Sequence, residues 1–120
     1  INLISRGAVW TSSTEVEAPA NDVVLTIPDD RIIRGVRIIT VGGSGSVQVD
    51  IQKGLYGGFP ATSSICASAK PTISGGTKYS DTTLTGWDTS IAAGSILRFV
   101  LESVSGFSYV CVTLTLEKVQ

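Results

Sequence analysis

The hexapeptide Val47-Gln48-Val49-Asp50-Ile51-Gln52 alternates apolar and polar residues. Successive side chains of a β-strand point to opposite faces of the sheet, so this pattern predicts a strand with one buried face and one solvated face. Similar alternation occurs in Ile96-Leu97-Arg98-Phe99-Val100-Leu101-Glu102 and again from Tyr109 to Leu116. These three runs indicate a sheet-based core.

Turn-forming residues divide the rest of the chain into short strands with little helical signal. The separators are rich in Gly, Pro, Asn and Asp, as in Ala18–Asp22, Val41–Gly45 and Ser74–Gly76. About eight short strands punctuated in this way predict an all-β fold, an antiparallel and jelly-roll-like β-sandwich. The predicted strands are Ile4–Thr11, Thr14–Ala18, Val23–Ile27, Ile32–Val41, Ser46–Lys53, Lys78–Leu84, Ile96–Ser103 and Tyr109–Lys118.

The size and composition of the chain fit one folded unit. Of its 120 residues, 42% are hydrophobic and 16% are charged. A chain of this size can bury one core, so we expect a single β-sandwich domain over residues 1–120. Because the sequence begins with Ile1 rather than Met, a place within a longer protein is compatible with it.

The charge balance argues against two classes of partner. The net charge is −1, which lacks the basic field that nucleic-acid binding requires. No apolar run approaches the roughly 20 residues of a membrane-spanning helix, so we expect no membrane insertion. The low charge, together with apolar outward positions such as Val24, Val100 and Cys111, predicts self-association or attachment through a sheet face or edge.

Catalysis is not expected from these residues. The chain has no His, which excludes Ser-His-Asp and Cys-His arrangements within one polypeptide. Asp29 and Asp30 can offer oxygen ligands to calcium, but Pro28-Asp29-Asp30-Arg31 better fits a turn beside a counter-charge. We therefore predict no enzyme activity, no catalytic residue, no cofactor and no metal. A glycosidase-like carboxylate pair would have to come from residues lying mostly in turns: Asp22, Asp29, Asp30, Asp50, Asp81 and Asp88.

The two cysteines, Cys66 and Cys111, are too few for a disulfide framework and lack the clustered spacing of a zinc site. We predict that both are reduced and structurally passive. Cys111 should face away from the core, because its neighbours Val110 and Val112 fall on the apolar face of their strand.

Arg31, Arg34 and Arg37 form the main basic cluster of the sequence. In a regular strand Arg31 and Arg37 share one side and Arg34 takes the other, so we expect no one-sided basic patch. Solvated charges at a sheet edge, which discourage aggregation between strands, would explain them.

The segment Gly54–Ser68, here termed the aromatic loop, is longer than a simple hairpin turn and contains Tyr56 and Phe59. Aromatic side chains on loops can stack on sugar rings or anchor protein interfaces. The predicted contacts with a partner or glycan are therefore Tyr56, Phe59 and Trp87. Alternatively, the three rings fold back as a lid over the open end of the sandwich. Trp10 is expected in the core.

Several short motifs occur along the last two thirds of the chain: Asp50-Ile51-Gln52-Lys53, Tyr56, Phe59-Pro60, Ala69-Lys70-Pro71-Thr72, Leu84-Thr85-Gly86-Trp87 and Ile91-Ala92-Ala93-Gly94. Together they resemble a small β-sandwich module of tailed-bacteriophage virion proteins, of the tail-fibre or minor-tail type. The sequence departs from the family pattern at Gln52, where the family has Trp, and at Gly54, Ala61 and Ser95, where it has Asp, Pro and an acidic residue.

The resemblance implies a non-enzymatic structural module of a virion, assembled in the host cytoplasm. A tail fibre or host-facing appendage is the favoured location, with other copies of the chain, as a homotrimer or as one subunit of a larger lattice, and other virion proteins as partners. A host surface glycan is a further candidate partner for attachment. The alternatives are a capsid decoration protein and a free carbohydrate-binding module.

Overall fold

The computed structural model describes residues 3–12, 14–17 and 21–119. These residues form β-strands, a single 3-10 turn at Tyr56–Gly58 and no α-helix, which confirms the all-β prediction. The strands are β1 (Leu3–Thr11), β2 (Val23–Ile27), β3 (Arg31–Val41), β4 (Gly45–Leu55), β5 (Ser63–Ser64), β6 (Thr72–Gly76), β7 (Lys78–Asp81), β8 (Ser90–Ile91), β9 (Ser95–Ser105) and β10 (Tyr109–Lys118).

The strands form two antiparallel sheets that pack together as a β-sandwich, as predicted. The first sheet has the order β1-β10-β3-β7, with β8 also paired to β3. The second sheet has the order β2-β9-β4-β5, with β6 also paired to β4. The described residues thus form ten strands rather than about eight, and two of the added strands contain only two residues each.

The core follows from the period-two alternation of the long strands. In β4 the side chains of Val47, Val49 and Ile51 are at most 1% exposed. The apolar positions predicted for β9 and β10 are likewise buried, and they close the core from both sheets. Burying one such side chain contributes about 1.5 to 3 kcal/mol, so the alternation specifies which face of each strand turns inward.

The predicted strand at Thr14–Ala18 is wrong over residues 14–17, which are irregular, while Ala18 lies outside the described residues. Instead of joining a sheet, Val16 is 4% exposed and its backbone N–H bonds to the carbonyl of Phe107 at 2.7 Å. The segment covers the end of the sandwich where β1 ends and β10 begins. Trp10 is buried nearby as predicted, and its indole N–H bonds to the carbonyl of Asn21 at 2.8 Å.

The strand predicted at Lys78–Leu84 stops at Asp81. The carboxylate of Asp81 accepts hydrogen bonds from the backbone N–H groups of Thr83 and Leu84, and Leu84 adopts a φ of 55°. Asp side chains stabilise turns by this kind of bond, which ends the extended conformation. The glycine-rich segment Ser74–Gly76 lies within β6 rather than in the predicted turn, and pairs with the start of β4.

The interpretation of the arginines as edge charges is wrong, because β3 is an interior strand that pairs with β10 on one side and with β7 and β8 on the other. Arg31 is only 9% exposed and donates two hydrogen bonds to Asp29. The β3–β10 register shifts between Thr115 and Leu116. This bulge places Arg34 and Arg37 together on the outer face, where a regular strand would separate them.

Candidate functional site

The aromatic loop follows β4 at one end of the sandwich and is tied down on both sides. The backbone N–H of Tyr56 bonds to the carbonyl of Gly94 at 3.3 Å, which joins the loop to the turn before β9. On the other side, the hydroxyl of Thr62 donates to the side-chain oxygen of Gln52 at 2.7 Å. These contacts fix the conformation of the loop relative to the second sheet.

Tyr56 points away from the sandwich. It is 73% exposed, the largest value among the exposed hydrophobic side chains of the described residues, and its neighbour Leu55 is 63% exposed. Both side chains stand at the same end of the second sheet. Apolar surface held in water in this way is a feature of contact sites.

Phe59 is the second aromatic residue of the loop and is 42% exposed. The guanidinium carbon of Arg98, on β9, lies 5.3 Å from the centre of its ring, within the range of a cation–π interaction. Phe59 therefore contributes one face to packing against the second sheet while the rest of its ring stays accessible.

Trp87 is not brought together with the other two rings. It packs against the buried core, and its indole N–H donates to the carbonyl of Ala69 at 3.0 Å. This placement fits a ring folded back over the end of the sandwich better than a ring exposed for contact with a partner. Its role in binding, like those of Tyr56 and Phe59, stays a prediction.

A polar cluster beneath the aromatic loop was not anticipated from the sequence. Asp50 is 4% exposed, and its carboxylate accepts hydrogen bonds from the Ser64 hydroxyl at 2.6 Å and from the Gln52 amide at 2.8 Å. Since Gln52 also accepts a bond from Thr62, the cluster links β4 to the far side of the loop. Only the alternation of β4 hinted at it, by placing Asp50 and Gln52 on one face.

Both cysteines are free thiols, as predicted. Cys66 is buried beside the polar cluster, with its sulfur 3.6 Å from a carboxylate oxygen of Asp50. Burial raises the pKa of the Cys66 thiol, which keeps it protonated and unreactive. Cys111 is partly exposed on the outer face of the first sheet, on the side predicted for it.

Asp29 and Asp30, the carboxylates considered as calcium ligands, are engaged in local structure. Asp29 accepts both bonds from Arg31, and this pairing holds the pKa of its carboxyl below the ordinary value. Asp30 accepts a bond from the backbone N–H of Ala93 at 2.7 Å. In the described part of the chain, no group of three or more His, Cys, Asp or Glu side chains is placed to hold a metal ion.

The outer face of the first sheet carries an apolar row near the end opposite the aromatic loop. Val9 pairs with Cys111, which in turn pairs with Ile39, so the three side chains lie side by side across β1, β10 and β3. Val9 and Ile39 are 48% and 54% exposed, and the adjacent Val41 is 57% exposed. This row adds to the exposed positions that predict association through a sheet face.

No helix among the described residues is long and apolar enough to cross a membrane. No protein family model matches the sequence, and no curated protein matches it either.

Two solved structures that resemble the fold are both of a virus. One is a chain from the infectious bursal disease virus Gx strain, at 14% identity and a TM-score of 0.45, covering 96% of this chain and 31% of that one. The other, from the Gt strain, is 12% identical with a TM-score of 0.39 and covers 99% of this chain and 38% of that one. The chain therefore spans about a third of the length of these viral chains.

Proposed function

We propose that the chain is one non-enzymatic β-sandwich domain of a bacteriophage virion, in a tail fibre or another host-facing appendage. In this role it contacts other virion proteins and further copies of itself, as a homotrimer, and attaches through the aromatic loop. The observation that carries the proposal is a loop tied to the sandwich on both sides that leaves Leu55 and Tyr56 63% and 73% exposed.

The energetics of this loop favour an attachment role. Apolar area that a partner covers contributes about 25 cal/mol per Å². Large aromatic side chains dominate many interfaces because they bury much area at a small cost in conformational entropy. Since hydrogen bonds already hold the loop, little ordering remains to oppose binding.

The phage setting is supported by the motif resemblance, and the trimer by that family setting together with the apolar balance of the chain, which is 42% hydrophobic and 16% charged. Tyr56 and Phe59-Pro60, which belong to the resembling pattern, lie in the part of the loop that the structure exposes. A capsid decoration protein would require the same small and weakly charged sandwich. Only the location of the chain in the particle therefore distinguishes a tail appendage from capsid decoration.

A free carbohydrate-binding module is the second candidate, and the exposed ring of Tyr56 favours it. Aromatic faces stack on the apolar faces of sugar rings. This candidate predicts that the isolated chain binds neutral glycans and that Tyr56→Ala abolishes the binding.

The test compares Tyr56→Ala with Leu3→Ala, which truncates another exposed apolar side chain, 54% exposed, on the first sheet. Particles are assembled with each variant, and the copies of the chain per particle and the rate of adsorption to host cells are measured. We expect Tyr56→Ala to reduce one of these quantities about tenfold, with the melting temperature nearly unchanged. Equal values for the two variants and the unmodified chain would reject the loop as the attachment site.

A further inference from the structure

A basic depression lies on the outer face of the first sheet. It is separate from the aromatic loop, whose Phe59 packs on the second sheet. It forms at the bulge in β3, where Gly35 pairs with Thr115 and Ile33 pairs with Leu116, so that Arg34 is the extra residue between them. With the extra residue, Arg34 and Arg37 reach the same face although they are three positions apart. Both arginines are exposed, and both line the depression.

Gly35 leaves space at the bottom of the depression. A β-carbon at this position would lie 3.4 Å from a methyl group of Thr82 and would fill part of the depression. The glycine leaves that volume open. The depression encloses about 210 Å³. Five hydroxyl-bearing side chains line it together with the arginines: Ser5, Ser80, Thr82, Thr113 and Thr115.

The charges of the depression are not balanced. Arg34 pairs with Glu117, at 2.5 Å between guanidinium Nε and carboxylate oxygen. Arg37 forms no ion pair with any carboxylate of residues 3–12, 14–17 and 21–119, and none of the residues lining the depression is acidic. The guanidinium of Arg37 is therefore an unbalanced positive charge that faces solvent, with Ser and Thr hydroxyl groups around it.

We propose that this depression binds a carboxylated sugar, of the uronic-acid type, with the carboxylate on Arg37. The planar guanidinium group matches a carboxylate in a two-bond geometry. The surrounding Ser and Thr hydroxyls both donate and accept hydrogen bonds, as sugar hydroxyls require. A ligand with an anionic group and several hydroxyls uses both features, whereas a simple anion would use only the arginines.

A receptor role for this depression rests on the attachment function proposed above. The binding of a carboxylated sugar by the depression does not depend on that function. The aromatic loop and the depression lie on different sheets. Failure at one of them therefore leaves the test of the other unaffected.

The experiment is a titration of the whole chain, labelled with ¹⁵N, with methyl glucuronide and with the neutral methyl glucoside. The glucuronide should shift the amide signals of residues 34–37, 80–82 and 113–115, and the glucoside should bind far more weakly. We expect Arg37→Gln to weaken glucuronide binding by about tenfold or more, the loss of one charge-assisted pair. Lys118→Gln removes the same charge from an exposed residue outside the depression and should leave the affinity unchanged.

Any of three titration results would overturn the proposal. They are equal binding of glucuronide and glucoside, equal affinity of Arg37→Gln and the unmodified chain, and the absence of shifts at the depression. Sedimentation equilibrium of the same two proteins provides a further measurement. Self-association that disappears in Arg37→Gln would assign the arginine to a carboxylate on a second copy and would also reject the sugar site. The incorporation and adsorption measurements with Tyr56→Ala report on the aromatic loop independently.

Discussion

Among the residues of this protein, Asp50 shows how an alternating pattern can place a side chain correctly and still mispredict its surroundings. The pattern of β4 puts Asp50 on the polar face, which was expected to be solvated. Asp50 is only 4% exposed, because the chain from Thr62 to Cys66 lies over it and supplies the Ser64 hydroxyl as a donor to its carboxylate. A contact made by a distant loop has no local signature in the sequence of the strand.

The structure predicts a clear difference between two Asp-to-Ala substitutions. Asp50→Ala removes the acceptor for Ser64 and Gln52 in a buried setting and should lower the free energy of unfolding by about 1 to 3 kcal/mol. Asp88→Ala breaks the ion pair with Lys53, where the Asp88 side chain is 56% exposed, and should cost less than about 1 kcal/mol. Urea unfolding of the two variants measures both values. An equal loss of stability would contradict the role assigned to the polar cluster.

At the scale of the element, two glycines that are indistinguishable by sequence have different constraints. Gly7 lies in β1 where a β-carbon would stand 1.8 Å from the backbone carbonyl oxygen of Val112, while no atom lies within 4 Å of a β-carbon at Gly57. Gly7→Ala should therefore destabilise the fold by about 1 to 3 kcal/mol or more, since the clash is with backbone. Gly57→Ala should change stability by about 0.5 kcal/mol at most. Thermal unfolding of both variants checks this, and tolerance of Gly7→Ala would show that the β1–β10 pairing differs from the one described.

The long strands could be predicted from the sequence, and the short ones could not. Alternation over six or more residues identifies the buried face of β4, β9 and β10, because burial of one face is what the pattern reflects. Strands β5 and β8 have two residues each, too few for any period to show. They exist only because neighbouring strands offer backbone partners.

The bulge in β3 explains why the sequence wrongly placed Arg34 and Arg37 on opposite faces of the strand. One extra residue changes which side chains share a face, and its position depends on the register with β10 rather than on the residues of β3 alone. The strand itself was predicted correctly, but the basic depression that it forms was not.

For the molecule as a whole, the distribution of exposed apolar groups supports assembly. Leu55, Tyr56 and Phe59 stand at one end, and the row of Val9 and Ile39 lies towards the other end on the outer face of the first sheet. The sequence predicted exposed apolar positions from composition, and it located Tyr56 and Phe59 in one loop. It could not separate Tyr56 from Trp87, because the packing of a loop side chain depends on tertiary contacts such as the bond from Trp87 to Ala69.

We propose that the chain is a structural component of a virus particle. Quantitative mass spectrometry of purified particles of a phage whose genome encodes the chain, with antibody labelling in electron micrographs to locate the chain, tests this role directly. We expect several copies per particle, in multiples of three, with label on the tail or its appendages. Label on the capsid would replace the tail role with decoration, and absence of the chain from washed, infectious particles would contradict the claim.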